Sequence, residues 1–207
     1  MATLISIDPD AEQHIVYMAR VSSNDQNNPD IIGLLNYCIK HGHWSIFEME
    51  NMTVEITTSR AISAQILRHR SFSFQEFSQR YQKLDGKQNI IYNARRQDSK
   101  NRQNSIDDLP ADIQIEWLKK QEEVWDNAYA NYEWALENGI AKECARMVLP
   151  MSSKTKIYMN GTIRSWIHYI QLRTANGTQE EHRKIAEEIK QIFILHLPNI
   201  STALGWK

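Results

Sequence analysis

The chain has 207 residues, with 24 Lys and Arg against 25 Asp and Glu, a formal charge of −1. Hydrophobic residues make up 42%, with only seven Gly and five Pro, which excludes a disordered, collagenous or disulfide-scaffold chain and describes one able to bury a core. The balanced charge also argues against a protein built to coat nucleic acid or an anionic membrane, because both ask for a basic excess; any anion site must be local.

The first eight residues, Met1 to Asp8, lack the basic and long apolar regions of a signal peptide. No run reaches the roughly 18 apolar residues of a membrane span, so the expected location is the cytoplasm. A short helix is expected from Pro9 to Ala19, and a second from Pro29 through Ile31, Leu34, Leu35, Cys38 and Ile39, stopping at Gly42. Met52 to Thr57 alternates apolar and polar residues and is β-branched, the period of a half-buried strand. Ser59 can cap a helix carrying Ile62, Ile66 and Leu67 and ending near His69, followed by a polar and aromatic stretch from Ser71 to Tyr81. Gln82 to Asp108 reads as an irregular surface excursion.

A long helix follows from about Pro110 to Asn138, with Ile113, Trp117, Val124, Ala128 and Leu136 as candidate inward residues and Asn138-Gly139 as its stop. Ala141 to Val148 is a shorter helix ended by Pro150; others run from about Thr162 to Arg173 and from Thr178 to Leu197. No linker, repeat or low-complexity tract interrupts this order. The reading is one helix-rich α+β domain over 1–207 with a small, mostly antiparallel sheet. Cys38 and Cys144 lack CxxC spacing and read as buried, reduced thiols.

Arg60 to Tyr81 is the segment richest in chemistry. It holds Arg60, Arg68, Arg70 and Arg80, one acid, Glu76, and no lysine. Guanidinium forks match phosphate oxygens in pairs and stay charged at any working pH. The plainer reading is a solvated basic helix end, with Arg68, His69 and Arg70 complementing the helix dipole. Gln65 and Arg68 stand three apart, as do Glu143 and Arg146, so each pair shares a helix face, either gripping a ligand or making an ordinary surface contact.

Residues 68 to 81 match the pattern RHRxxSxNExSxRY except for Gln75 in place of Asn. His41 to Met49 resembles HGHxSxFEH, with Met49 for the last His; Glu143 to Pro150 resembles ExARxxLP; Arg164 to Arg173 resembles RSxxHFxxLR. These ordered blocks resemble the flavin-dependent thymidylate synthases. The resemblance implies methylation of dUMP to dTMP with methylenetetrahydrofolate as carbon donor, FAD as redox cofactor and NADPH as reductant, in a homotetramer whose sites are shared between subunits. It implies that Gln65, Arg68, Glu76, Ser78, Gln79, Arg80, Arg146 and Arg173 hold the nucleotide. FAD would meet Ser22, Ser45, Glu48, Arg68, His69, Arg70, Glu76, Thr162, Arg164 and His168. Arg173 would polarise the uracil near N3, and His43 matches a histidine important for activity. The family does not hold FAD through a Rossmann unit, so a GxGxxG fingerprint is not expected. No cysteine serves as nucleophile on this reading, and Cys144 is a small buried residue.

Arg164 and Arg173 are nine positions apart, about 180° around a straight helix, so one pocket cannot easily take both. If both serve ligands, the helix breaks or its faces serve different sites, which agrees with shared sites. His41, His43, Glu48 and Glu50 lack a recognised metal-ligand spacing, so no metal is expected. Trp117, Trp125 and Trp134 approximate a helical stripe for core or subunit contact, and His182 and His196 suit packing or solvent. The competing function is single-strand nucleic acid binding, with Phe72, Phe74 and Phe77 interleaved among Arg68, Arg70 and Arg80 as a stacking surface.

Overall fold

A computed structural model describes residues 1–86 and 88–206. Its frame is a four-stranded antiparallel sheet of β1 (Ala2–Ile7), β2 (Asn51–Ser59), β6 (Lys154–Thr162) and β3 (Ser73–Glu76), in spatial order β1-β2-β6-β3. The expected strand at 52–57 is the middle of β2, which pairs with β6 along nine residues from Asn51↔Thr162 to Ser59↔Lys154. Period-two burial then sorts the faces. Met52, Val54, Ile56, Ile157 and Met159 are fully buried on one side. On the other, Lys156 pairs with Glu55 at 3.1 Å and the Asn160 amide donates to Thr53 Oγ1 at 2.7 Å.

Helices cover the apolar face. The principal core joins Ile15 and Val16 of α1 (Ala11–Ala19), Leu35 of α2 (Ile31–Lys40), Ile62 and Ile66 of α3 (Arg60–Ile66), Trp166 and Tyr169 of α6 (Ile163–Arg173), Phe193 of α7 (Glu180–His196) and Ile200 of α8 (Pro198–Ala203). Gly161, in β6, lets this core close: a Cβ there would lie 2.4 Å from the Phe72 ring, far inside contact distance.

Three expectations change. First, β6, the second strand of the sheet interior, lies in a stretch left unassigned: its buried Thr155, Ile157, Met159 and Gly161 alternate with Lys154, Lys156 and Tyr158, but two lysines and a glycine hide the period. β1, β3 and α8 were likewise not foreseen, and α3 stops at Ile66 rather than near His69.

Second, the long helix α4 (Ala111–Glu137) buries a face turned part-way from the expected one: Trp125, Tyr132 and Ala135 point inward and the expected Ala128 and Leu136 are half-buried, Leu136 against that cluster, while Ile113, Trp117 and Val124 are exposed. The reason is what α4 packs against. Its inward side chains satisfy the backbone of the polar excursion, with Tyr132 Oη accepting from the Leu84 N–H at 3.2 Å and the Gln121 amide bonding both the N–H and the carbonyl of Tyr92 at 3.0 and 2.8 Å. A helix that docks a loop through polar side chains does not show its inner face by hydrophobicity. Of the tryptophan stripe only Trp125 is core; Trp134 is 60% exposed. The excursion itself carries a two-residue ladder, β4 (Arg96–Gln97) with β5 (Ser105–Ile106).

Third, Cys38 is buried as expected but Cys144, at the end of α5 (Lys142–Ala145), is exposed because that short helix turns Ala145 inward instead.

Candidate active site

Three groups of the sequence-matched residues come together separately. The first surrounds the start of α3. Ser59 caps that helix by accepting the Ile62 N–H at 3.4 Å, and the Arg60 and Ala61 N–H groups donate to the carbonyls of Ser153 and Met151, at 2.9 and 3.0 Å. This anchors Arg60 beside the turn that carries Arg146. A cavity of about 260 Å³ results, lined by Arg60, Gln79, Arg146, Met147, Met151 and Ser153 among others. Glu76, at the end of β3, is clamped on one oxygen: Oε1 accepts from Ser63 Oγ at 2.6 Å and Thr155 Oγ1 at 3.0 Å, and pairs with Arg60 Nη1 at 2.9 Å. Two donors of this group, Gln79 Nε2 and Arg146 Nε, are buried with no hydrogen-bond partner among the described residues. Gln79 itself is only 5% exposed.

The second group lines a cavity of about 530 Å³ between the 3₁₀ turn Trp44–Glu48 and the outer face of α6: Trp44, Glu48, Ser71, Arg164, Ser165 and His168, with Ile167 and Gln171. Arg164 Nη1 meets Glu48 Oε1 at 2.5 Å. Thr162 caps α6, its Oγ1 accepting the Ser165 N–H at 3.2 Å, which fixes the first turn from which Arg164 projects. The cavity combines an indole, an apolar wall, hydroxyl and imidazole groups and the guanidinium of Arg164, and its size is within the roughly 300–1,000 Å³ of small-molecule and cofactor sites. That lining suits the planar ring system of a flavin.

The third group lies on the opposite side of α6. Arg173 Nε donates to His69 Nε2 at 2.9 Å; the phenol of Tyr169 meets His182 Nε2 at 3.0 Å; His182 Nδ1 lies 3.4 Å from Gln65 Oε1. Burial, then the charge of Arg173 and the nearby His168, depresses His69 to about 4. Burial, reinforced by Arg173 and His69, depresses His182 to about 3. Both rings are thus neutral at ordinary pH, and His69 can offer a lone pair to the guanidinium. Burial also pushes the Tyr169 phenol well above its usual value.

α6 is unbroken between Arg164 and Arg173, so their different partners follow from the half-turn offset. The other matched residues distribute around these groups. Arg80 is exposed and holds Glu143 Oε2 through Nε and Nη2 at 3.2 and 3.1 Å; Ser78 ends the loop beyond β3, its carbonyl accepting from Tyr81 and Gln82. Arg68, Arg70, Ser22, Ser45 and His43 are exposed, and the His43 ring lies 5.7 Å from Tyr37. By direct contacts Glu76, Gln79 and Arg146 fall in the first group and Gln65 and Arg173 in the third, with α3 contributing to both. Sequence reasoning gave no site role to Arg60 or Tyr169 and assigned His182 to packing or solvent; the start of a helix directly after a core strand was the available signal for Arg60.

The imagined His41, His43, Glu48, Glu50 set does not form, since Glu48 pairs with Arg164 and Glu50 with His14. Among the described residues the one cluster within ligand reach is Asp8, Asp10 and His14, all exposed. Nor does the aromatic surface of a strand binder: Phe72 is buried against Trp166 and Tyr169, and Phe74 and Phe77 are half-buried.

A family model described as thymidylate synthase complementing protein matches residues 3–199. The chain belongs to the family of flavin-dependent thymidylate synthases. It is 56% identical over 198 residues to a probable flavin-dependent thymidylate synthase of Paramecium bursaria Chlorella virus 1, covering 95% of this chain and 91% of that one. It is 54% identical over 192 residues to the flavin-dependent thymidylate synthase of a Synechocystis strain, covering 93% and 88%. In fold it resembles the UMP/dUMP methylase PolB from Streptomyces cacaoi, solved with 5-Br dUMP, with a TM-score of 0.88 at 24% identity over 99% of this chain and 94% of that one. The chain is accordingly an enzyme, a methyltransferase of thymidylate synthesis that depends on a flavin. No described helix is long and apolar enough to cross a membrane.

Proposed function

We propose that the enzyme methylates dUMP to dTMP with methylenetetrahydrofolate as carbon donor, FAD as its flavin and NADPH as reductant, and that each site is completed by two subunits of a homotetramer. The observation that carries the nucleotide assignment is the pair of buried donors Gln79 Nε2 and Arg146 Nε, without partners among the described residues, beside Arg60. Leaving such groups unpaired costs about 1–3 kcal/mol each, so they favour a ligand rich in acceptor oxygens, as a nucleoside monophosphate is.

Arg80 and Arg146, with Gln79 and the Ser78 region, bind the nucleotide and hold its ring in place, converting phosphate binding energy into orientation. Glu76 turns its second oxygen to a ligand, since its first is occupied. Arg173 acts on the ring. With Nε tied to His69, its two terminal amino groups remain to stabilise negative charge near N3 and O4 of uracil, which raises electron density at C5 where the new carbon bond forms. Arginine does this without releasing a proton. Glu48, Ser45, Thr162, Arg164 and His168 hold the FAD, with Arg68, His69 and Arg70 contributing from the RHR segment and Ser22 from the loop beyond α1. Bound flavin supplies the redox chemistry that no side chain provides.

Two observations support the assembly. The nucleotide residues divide between separate groups of one chain, and α4 exposes Val124 at 56% and Trp134 at 60%, apolar surface that suits contact with a second copy. The test is direct. Purified protein loaded with FAD forms dTMP only when dUMP, methylenetetrahydrofolate and NADPH are all present, and light scattering gives four times the chain mass; no dTMP, or an active monomer, refutes the corresponding part.

A further inference from the structure

The third group continues into a longer hydrogen-bond chain that leads away from the nucleotide residues and ends in the polar excursion. Tyr169 Oη meets His182 Nε2 at 3.0 Å, His182 Nδ1 meets Gln65 Oε1 at 3.4 Å, Gln65 Nε2 donates to Gln179 Oε1 at 2.6 Å, and Gln179 Nε2 donates to Glu181 Oε2 at 2.8 Å. The other oxygen of Glu181 is held by Arg95 Nη2 at 2.6 Å, with both side chains largely buried at 12% and 13% exposure. Arg95 in turn holds Glu180 through Nη1 at 3.2 Å and donates to Ser105 Oγ at 2.8 Å.

A carboxylate clasped by a guanidinium can only accept. Gln179 must therefore turn its amino group to Glu181 and its carbonyl to Gln65. Gln65 must then turn its amino group to Gln179 and its carbonyl to His182. That carbonyl requires a proton on His182 Nδ1, which leaves Nε2 bare to accept the Tyr169 hydroxyl. The polarity of four groups follows from one anion at the end of the line, and reversing any member would set two acceptors or two donors face to face. We propose that Glu181, anchored by Arg95, makes Gln179 and His182 positioning residues for Gln65, fixing the remaining N–H of that amide as a donor to an acceptor oxygen of the bound nucleotide. This rests on the reading of Gln65 as a nucleotide contact. It also gives the excursion a task, because Arg95 is the excursion's own residue.

The test uses the FAD-loaded enzyme labelled with ¹⁵N-histidine. The His182 signal, identified by its loss in His182→Gln, is expected to carry its proton on Nδ1; a proton on Nε2 overturns the proposal. Glu181→Gln and Gln179→Met are then compared with the parent. Glu181→Gln lets the chain run either way; Gln179→Met cuts it at an exposed position and keeps the test valid should Glu181→Gln fail to fold. Each is expected to weaken dUMP binding, measured by calorimetry, about fivefold, the scale of one hydrogen bond, with kcat within about twofold and flavin occupancy unchanged. Unchanged affinity, or joint loss of affinity, kcat, flavin and thermal stability, overturns it. Deoxyuridine locates the acceptor: a penalty retained without the phosphate places it on the nucleoside, and a penalty lost places it on the phosphate. An unaltered enzyme that bound no dUMP would instead refute the functional reading, whereas normal dUMP binding with the wrong tautomer refutes this inference alone.

Discussion

Arg146 and Arg173 sit in opposite hydrogen-bonding states. Around Arg146 its own Nε and Gln79 Nε2 are buried without partners among the described residues, while around Arg173 a line of bonds joins His69 to the guanidinium and Tyr169, His182 and Gln65 to one another. Unpaired buried donors are costly and persist where a ligand supplies the acceptor. A closed network instead holds orientation in advance, so that little reorganisation is needed when charge develops on the substrate. One region is built to be completed and the other to stay as it is.

The comparison can be broken by substitution. Arg173→Ala removes the charge that the closed region aims, and kcat should fall about 100-fold to 1,000-fold while flavin absorbance is kept; equal loss of flavin would mean that Arg173 holds the fold. Arg146→Ala acts on the open region. dUMP affinity should fall about 10-fold to 100-fold, the range for a charged hydrogen bond, with thermal stability unchanged or raised because an unpaired buried donor is gone. A clear drop in melting temperature with unaltered dUMP affinity would reverse the roles of the two regions.

Smaller effects sharpen the contrast. Gly161→Ala forces its new methyl onto Phe72, which packs edge-on against Tyr169 with ring centroids 5.9 Å apart. Overpacking of this kind costs about 1–3 kcal/mol, so denaturant midpoints should fall, and dUMP affinity should hold unless the disturbance reaches Gln65. Protonation probes the closed region through its two rings. His69 and His182 are depressed to about 4 and about 3 in the folded protein, against about 6.5 in the unfolded chain. Between these values the unfolded state binds more protons, so their contribution to stability is complete above about pH 6.5 and is lost as pH falls through about 4 for His69 and about 3 for His182. Melting temperature should decline across that window, less steeply in His69→Gln; an identical slope would show that His69 is not held neutral.

The motif blocks were more legible in the sequence than the scaffold that carries them. Arg164 and Arg173 show why: their half-turn offset follows from helix geometry alone, and the unbroken helix delivers them to different neighbours. Gln79, Arg146, Arg164 and His168 lie in motif blocks whose order and spacing survive any error in the elements between them. What stayed hidden depends on tertiary partners. β6 alternates correctly but carries lysines on its exposed face, and α4 presents Gln114, Gln121 and Tyr129 to a loop rather than leucines to a core. Arg60 was visible as charge, and only its clasp on Glu76 reveals a position in the site.

The central claim, that one nucleotide is held by open donors of one subunit and by the prearranged arginine of another, is tested most directly by a crystal structure of the enzyme with FAD and dUMP. Acceptor oxygens of dUMP should lie within hydrogen-bond distance of Gln79 Nε2 and Arg146 Nε of one subunit and of the Arg173 amino groups of its neighbour. A dUMP bound wholly by one chain, or one that left both donors of the Arg146 cavity unpaired, would contradict the account.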